Sequence, residues 1–556
     1  MLIGIDVGGT TTDAVLTDGR SIAAEAAVPT VPHDLAGSVL AALDGVLERT
    51  RQAKVERVVL STTVITNLLA EGKAERVGLI LIPGPGADPF GYGLPPTQVV
   101  AGAIDYRGRE IAPIDEAELR AVATSLRTAG YSKAAVVGKF CQRNPAHELA
   151  AQAVLRDTCP ELSVQCGHEV SGRLNFPRRA ATTLLTLATR DRYEEFAADM
   201  RRALEDRGLQ APVFVLKADG GTLPLDYSLR APVETIFSGP AASTMGALAL
   251  GPPGDSFVVL DIGGTTTDLA LVLDGRPLLS SKGCRVRQLL THVRAFAVKS
   301  VPVGGDSAVR VVDGAVSVGP DRMGPPACLG GKVPTPTDAL RTLGATDLGD
   351  GVAAEEAMTA VADGLGIGIE DAARKVVDLV ASTVAQEVET MFAQWRDEPV
   401  YRIWEVVQEQ RRRPQILVGV GGGAPWLAPP VAALLGVRCV VPAHAAVANA
   451  LGAALSRPTL SVEFRADTSQ GTWVTEEDGR NGPLDGSRLS PAEAEEMALR
   501  LLALKAREAG IGGYADQAEV THSEVFNMVR GRFTIGRLLN VTAEIPAGLL
   551  DDWSVT

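Results

Sequence analysis

Short apolar runs alternate along this chain with stretches that place an apolar residue every three or four positions, the rhythm of an α/β protein. The run Ile3-Gly4-Ile5-Asp6-Val7 passes through Gly8-Gly9-Thr10-Thr11-Thr12-Asp13 and re-enters apolar residues at Ala14-Val15-Leu16. That pattern predicts strand, tight turn, strand. Almost the same words return at Leu260-Asp261-Ile262-Gly263-Gly264-Thr265-Thr266-Thr267-Asp268, followed by Leu269-Ala270-Leu271-Val272. Between and around the copies, Leu35, Val39, Leu43 and Val46-Leu47 predict a helix, and Val58–Leu60, Val77–Ile82 and Ala134–Phe140 predict strands. Val28–Val31 reads as an edge segment or linker. A long amphipathic helix runs to about residue 207, Val213–Leu216 is a strand, and Ser238 opens a helix of small residues. Asp371–Arg396 is helical, Gln415–Val418 a strand, and Val447–Ala454 a second small-residue helix. Thr468–Ser487 reads as a polar loop ahead of an α+β tail.

The two repeated turns suggest a chemistry. Glycines let backbone N–H groups close on an anion, threonine hydroxyls add donors, and an Asp at a strand end holds a divalent cation, often through water. Nucleotide phosphate with Mg²⁺ fits both. One copy alone is equally a Gly-Thr-rich hairpin turn. Recurrence nearly half a chain apart is too wide for a short-period solenoid and suits two homologous halves facing each other across a cleft. No P-loop occurs, because Gly72-Lys73, Gly138-Lys139 and Gly331-Lys332 are each followed by the wrong residue.

These turns resemble the two phosphate loops of the actin/sugar kinase/Hsp70-type ATPases and, within them, of the A subunit of the hydantoinase/5-oxoprolinase family. Val418-Gly419-Val420-Gly421-Gly422-Gly423-Ala424-Pro425 is similar to that superfamily's adenosine loop, and the likeness covers roughly residues 1–455. The resemblance implies two ribonuclease H-like lobes facing across an ATP cleft, with an inserted N-terminal region and a small α+β C-terminal tail. The expected domains are residues 1–175 with the first phosphate loop, 176–456 with the second phosphate loop and the adenosine loop, and 457–556 of unassigned role. Asp6, Asp261 and Asp268 are the expected catalytic residues, with Asp6 and Asp261 on the metal. ATP contacts are expected from Gly8, Gly9, Thr10, Thr11, Gly263, Gly264, Thr265, Thr266, Gly421, Gly422 and Gly423.

The implied activity is ATP-dependent opening of a cyclic amide such as 5-oxoproline, a hydantoin or a related lactam. Phosphorylation of the amide oxygen makes the leaving group, and hydrolysis follows with a B-type partner subunit in an oligomer. Two other readings stay open: a reactivating ATPase for a radical or corrinoid enzyme, and a small-molecule kinase.

Further segments match the family with departures. Ser61-Thr62-Thr63-Val64-Ile65-Thr66-Asn67 offers hydroxyls to a ligand or to helix caps. Thr186-Leu187 stands where the family has Asn-Ala, and the nearby Arg178 or Arg179 is read first as pairing with a carboxylate. Ser238-Gly239-Pro240-Ala241-Ala242 is either a helix start pressed against ligand or a closely packed helix. Asp306 replaces a glycine and would repel an anion or recruit a cation; Arg322-Met323 replaces small residues; Leu427 replaces a His. Asp338 is a site candidate or a turn cap. His147-Glu148 and Gly167-His168-Glu169 are paired His/Glu sites, but side chains adjacent in sequence do not face one site, so caps and polar contacts are expected there.

Composition narrows the partners. With 556 residues, 46% of them hydrophobic, two or three domains and a large core are expected. A net charge of −14 without a basic block argues against nucleic acid or an anionic membrane as main partner. The N-terminal apolar run carries Asp6 and no preceding Lys or Arg, so it is a buried strand and not a signal peptide. No apolar run reaches the length of a membrane span. Six scattered cysteines without a CxxC pair suit reduced thiols in a cytoplasm. No HExxH and no Ser-His-Asp arrangement is legible to activate water, which is why a partner is expected to complete a hydrolysis.

Overall fold

A computed structural model describes residues 1–31, 33–50, 54–319, 321–397, 413–475, 479–484, 489–550 and 553. The α/β expectation holds, with several mixed sheets. In the first, the strand Leu2–Val7 lies between its hairpin partner Thr11–Thr17 and the parallel strand Arg57–Ser61. Val213–Leu216 and Thr222–Pro224 extend the sheet on one side, so it draws strands from both sides of residue 175, and Ile22–Pro29 forms its other edge. Pro29 ends that edge strand, where a missing N–H costs no ladder bond.

The second sheet repeats the theme. Phe257–Ile262 pairs antiparallel with Thr267–Leu273 and parallel with Ile416–Val420. Both central strands are buried along nearly their whole length, as strands covered on both faces must be, and their apolar runs are continuous for that reason.

Two helices of small residues, Ser238–Leu250 and Ala448–Leu455, lie against each other at the junction of the sheets. A Cβ on Gly246 would fall 2.0 Å from the Ala448 carbonyl oxygen, and one on Gly452 would fall 2.2 Å from that of Ala242. On the sheet side, a Cβ on Gly4 would fall 1.9 Å from the Ala450 carbonyl oxygen. Backbone therefore packs on backbone, and the small-residue composition is the condition for bringing the two hairpins together.

Residues 77–166 build a separate parallel sheet, ordered Ser163–Cys166, Lys133–Gly138, Val77–Ile82, Thr97–Val99. Its central strand stops at Gly138, short of the expected Phe140, which turns the chain with φ +64°. The tail is a five-stranded antiparallel sheet under the helix Pro491–Glu508, and Leu460–Asp467 alternates between buried and half-buried positions as a one-faced strand should. The expected polar loop at 468–487 contains two strands of this sheet, Thr472–Thr475 and Asn481–Pro483, while 476–478 and 485–487 lie outside the described residues. Asn481–Pro483 is the sheet's edge, where solvent contact removes the apolar signal, and Thr472–Thr475, paired on both sides next to it, is only four residues long with threonine at each end. Among the described residues no helix is long and apolar enough to cross a membrane.

Candidate functional site

The hairpin registers set Asp6 opposite Asp13 and Asp261 opposite Asp268. Each turn closes in the same way: Gly8 N–H donates to the Thr11 carbonyl at 3.0 Å, and Gly263 N–H to the Thr266 carbonyl at 3.0 Å. Gly9 and Thr11 are exposed at the first tip, while Thr10, Thr265 and Thr266 are half-buried. The two tips approach each other, because a Cβ on Gly264 would lie 3.2 Å from the Thr10 hydroxyl.

Asn449, in the first turn of the helix Ala448–Leu455, ties the halves together. Its amide Nδ2 donates to Asp6 Oδ2 at 3.3 Å and to Asp261 Oδ2 at 3.1 Å. Ser61 also hydrogen-bonds Asp6, and Ser243 hydrogen-bonds Asp261. Even so, Asp6 Oδ1, Asp268 Oδ1 and Asn449 Oδ1 are buried without a partner.

Four carboxyls so placed resist ionisation. Burial pushes Asp6 up to about 6, with Asp261 adding to it against the hydrogen bonds of Ser61 and Asn449. Burial, then Asp6 and Asp261, push Asp13 to about 7; burial and Asp261 push Asp268 to about 7. Burial also raises Asp261. Among the described residues, no Lys or Arg is among the groups acting on any of the four. Unpartnered carboxylate oxygens around one amide are a donor set suited to a hard divalent cation, so Mg²⁺ fits the residues present.

These carboxyls hold protons in the native state that the unfolded chain, with ordinary values near 3.8, has already released. The metal-free protein should therefore lose stability as pH rises from about 4 through about 7 and level off above that. Asp268→Asn should recover about 1–3 kcal/mol at pH 8 without metal, and Mg²⁺ should flatten the pH dependence of wild-type melting. A metal-free melting temperature that rises across this window would contradict the cluster.

The glycine loop divides its labour. Gly421 has φ +85°, and a Cβ there would fall 2.5 Å from Asp261 Oδ1; one on Gly423 would fall 2.7 Å from Ile262 Cγ2. These two glycines let the loop sit against the second hairpin. Gly422 is exposed and a Cβ on it meets nothing within 4 Å. Gly421→Ala should thus cost roughly 1–3 kcal/mol of stability. Gly422→Val should melt like wild type yet weaken adenine-nucleotide binding, as read by calorimetry; unchanged affinity moves the adenosine site elsewhere.

The remaining candidates sort themselves structurally. Thr62 N–H donates to Ser238 Oγ at 3.1 Å and Ser238 Oγ donates to the Thr62 carbonyl at 2.9 Å, so this string braces the start of the helix Ser238–Leu250. Thr335 and Asp338 form a capping box, and the buried Asp338 carboxylate also accepts from Ala327 and Cys328 N–H. Leu427 packs in the core of the second sheet. Arg179 does not pair with a carboxylate: it is buried and donates to the Arg173 carbonyl at 2.6 Å and the Gly138 carbonyl at 3.3 Å. Asp306 pairs with Arg322 at 3.2 Å, so two departures from the family pattern meet beside Gly264 and neutralise each other. A cavity of about 830 Å³ lies apart from the carboxylates, between the first sheet's edge and the tail, and is lined by Lys217, Asp219, His292, Arg294 and Glu544 among others.

The hydantoinase/oxoprolinase family matches residues 179–462, and the hydantoinase/oxoprolinase N-terminal region matches residues 2–159. The chain belongs to the hydantoinase/oxoprolinase family. It is 29% identical over 425 residues to caprolactamase subunit alpha of Pseudomonas jessenii, a stretch covering 68% of this chain and 61% of that protein, less than two thirds of the relative's length. The crystal structure of the ATP-dependent caprolactamase from that organism superposes with a TM-score of 0.70 at 24% identity, covering 98% of this chain and 87% of that one. Nucleotide-free acetone carboxylase superposes with a TM-score of 0.71 at 18% identity, covering 99% and 88%. In this hydantoinase/oxoprolinase chain, Asn449 and Asp13 lie in the candidate site, and motif reading does not single them out for it. The signal for Asn449 was a lone amide inside a helix otherwise built of Ala, Leu and Gly.

Proposed function

We propose that the chain binds Mg²⁺·ATP between its two hairpins and spends the γ-phosphoryl group on the carbonyl oxygen of a cyclic amide. The observation that carries this reading is the Asn449 bridge, which holds Asp6 and Asp261, one from each hairpin, on a single amide with carboxylate oxygens left unpartnered. The two sheets then act as lobes of an ATP cleft: Gly8, Gly9, Thr10 and Thr11 with Gly263, Gly264, Thr265 and Thr266 cradle phosphate, and Gly421–Gly423 border the adenosine. Bound Mg²⁺ would supply charge neutralisation on the phosphates, held by Asp6 and Asp261. The amide oxygen attacks the γ-phosphorus, the bond to the β,γ-bridging oxygen breaks, and ADP leaves. The product is an O-phosphorylated amide whose phosphate is a good leaving group when water attacks the ring carbon.

The likeness to caprolactamase subunit alpha supports a lactam and a multi-subunit enzyme, with a B-type subunit completing the hydrolysis. All six cysteines are free and five are buried, which suits a reducing cytoplasm. A second reading rests on the likeness to acetone carboxylase: the same centre could phosphorylate a ketone-derived oxygen ahead of carboxylation. ADP release measured with lactams and, separately, with ketone plus bicarbonate discriminates the two. Stimulation by lactams alone supports amide activation, and stimulation by ketone plus bicarbonate alone overturns it.

A further inference from the structure

We propose that Glu148, Cys166 and His168 form a binding site for a Zn²⁺-class transition-metal dication, on the parallel sheet of residues 77–166 and separate from the carboxylate centre. Three elements deliver the three donors. Glu148 stands in the first turn of the helix Ala146–Thr158, Cys166 ends the strand Ser163–Cys166, and His168 lies on the short helical turn Gly167–Val170. One ligand atom from each, a carboxylate oxygen, Sγ and an imidazole nitrogen, all lie within 4.8 Å of one another. Glu148 and Cys166 are fully buried, and the His168 side chain is 17% exposed, which leaves an entry path from that side.

The surroundings orient these donors. Gly138 N–H donates to Glu148 Oε1 at 2.7 Å, which fixes the carboxylate, and His168 Nδ1 meets Oε2 at 2.5 Å. Cys166 N–H donates to Glu169 Oε2 at 3.0 Å, which fixes the backbone that carries the thiol. Gly167 keeps the space beside the carboxylate clear, since a Cβ there would lie 2.9 Å from Glu148 Oε1. Cys141 also hydrogen-bonds Glu148, so a further thiol stands at the edge of the site.

The donor set selects the ion. One sulfur, one imidazole nitrogen and one carboxylate oxygen match the ligands of Zn²⁺, with bonds of about 2.3, 2.0–2.1 and 2.0–2.2 Å, whereas Mg²⁺ and Ca²⁺ take oxygen. Drawing the donors onto one ion asks for short side-chain rotations from the observed spacing. The Cys166 thiol gives its proton to solvent, His168 binds as neutral imidazole, and the thiolate and carboxylate charges balance the dication. Without an ion, the same residues form a hydrogen-bonded group in which Cys166 Sγ donates to the Glu148 carbonyl at 3.6 Å.

Cobalt distinguishes the two states. The full chain, stripped by dialysis against a chelator and held in excess Mg²⁺ to occupy the carboxylate centre, is titrated with Co²⁺. The expected result is one equivalent bound with a near-ultraviolet thiolate-to-cobalt charge-transfer band, displaced stoichiometrically by Zn²⁺. Cys166→Ser should abolish the band and His168→Ala should weaken binding at least tenfold, while Cys439→Ser, remote from the site, leaves both unchanged. Circular dichroism checks the fold of each variant, and the partly exposed His168 provides the readout if Cys166→Ser does not fold. A folded wild-type chain that shows no thiolate band, or a band and affinity that His168→Ala leaves intact, overturns the proposal.

Discussion

Asp6→Asn and Asp261→Asn are each expected to abolish Mg²⁺-dependent ATP hydrolysis, with kcat falling by at least ~10²–10³, the scale of losing one electrostatic contact to the reacting phosphates. The substitution keeps the side chain's shape, and the new amide oxygen can still accept from Asn449 Nδ2, which lies 3.3 Å from Asp6 and 3.1 Å from Asp261. What is lost is the charge that would hold the cation. The fold should not suffer, because burial already disfavours the ionised form at both positions and removing one charge relieves its neighbours. Metal-free melting should therefore stay at or above wild type above pH 7, where the repulsion is fully developed. This combination, dead catalysis with undiminished stability, separates a role on the metal from a structural one. Full turnover by both variants removes the assignment.

The second large effect is dependence on a second protein. Purified alone, it is expected to hydrolyse lactams slowly or not at all, and a separate protein should raise amino-acid formation by roughly 10²–10⁴, the range a positioned general base contributes. The structure has tied up the groups that first invite suspicion as water activators. His147 pairs with Glu110 at 3.0 Å, His168 with Glu148 at 2.5 Å, and Asp306 with Arg322 at 3.2 Å. One arrangement was invisible in sequence: Ser171 Oγ and His292 Nδ1 lie 2.7 Å apart on the wall of the 830 Å³ cavity. Burial, with Arg179 and Arg173, pushes His292 down to about 3, so the ring is neutral at ordinary pH. If the chain alone yields stoichiometric amino acid, His292→Ala is the first variant to make, and loss of hydrolysis with retained ADP release would place the water-activating step there.

Local patterns were legible and long-range meetings were not. Each Gly-Thr hairpin is a contiguous string in which glycines, threonines and Asp stand in fixed order, so its strand, turn and acidic pair can be read off directly. The helices Ser238–Leu250 and Ala448–Leu455 were legible as small-residue runs, but their mutual packing was not. It depends on Gly246 and Gly452 meeting the carbonyls of Ala448 and Ala242. The bridging role of Asn449 is not legible in sequence because its two partners are 443 and 188 residues away. The departures at Asp306 and Arg322 read as two separate anomalies until the fold paired them. Adjacent His/Glu side chains do not converge, yet one member of each pair does, since Glu148 on the helix Ala146–Thr158 and His168 on the turn Gly167–Val170 are joined through the strand Ser163–Cys166 and meet at its end. In the tail, Asn481–Pro483 is not legible because an edge strand need not be apolar.

Phosphorylation of a cyclic amide's carbonyl oxygen by this chain is tested by incubating the chain with Mg²⁺·ATP and a panel of lactams, hydantoins and 5-oxoproline and measuring ADP release. One class of cyclic amide should accelerate the release, and Asp6→Asn and Asp261→Asn should eliminate it. ADP release that no cyclic amide accelerates, but that a cofactor-bearing protein does, rules out amide activation and supports a reactivating ATPase; accumulation of a stable phosphorylated small molecule rules it out in favour of a kinase.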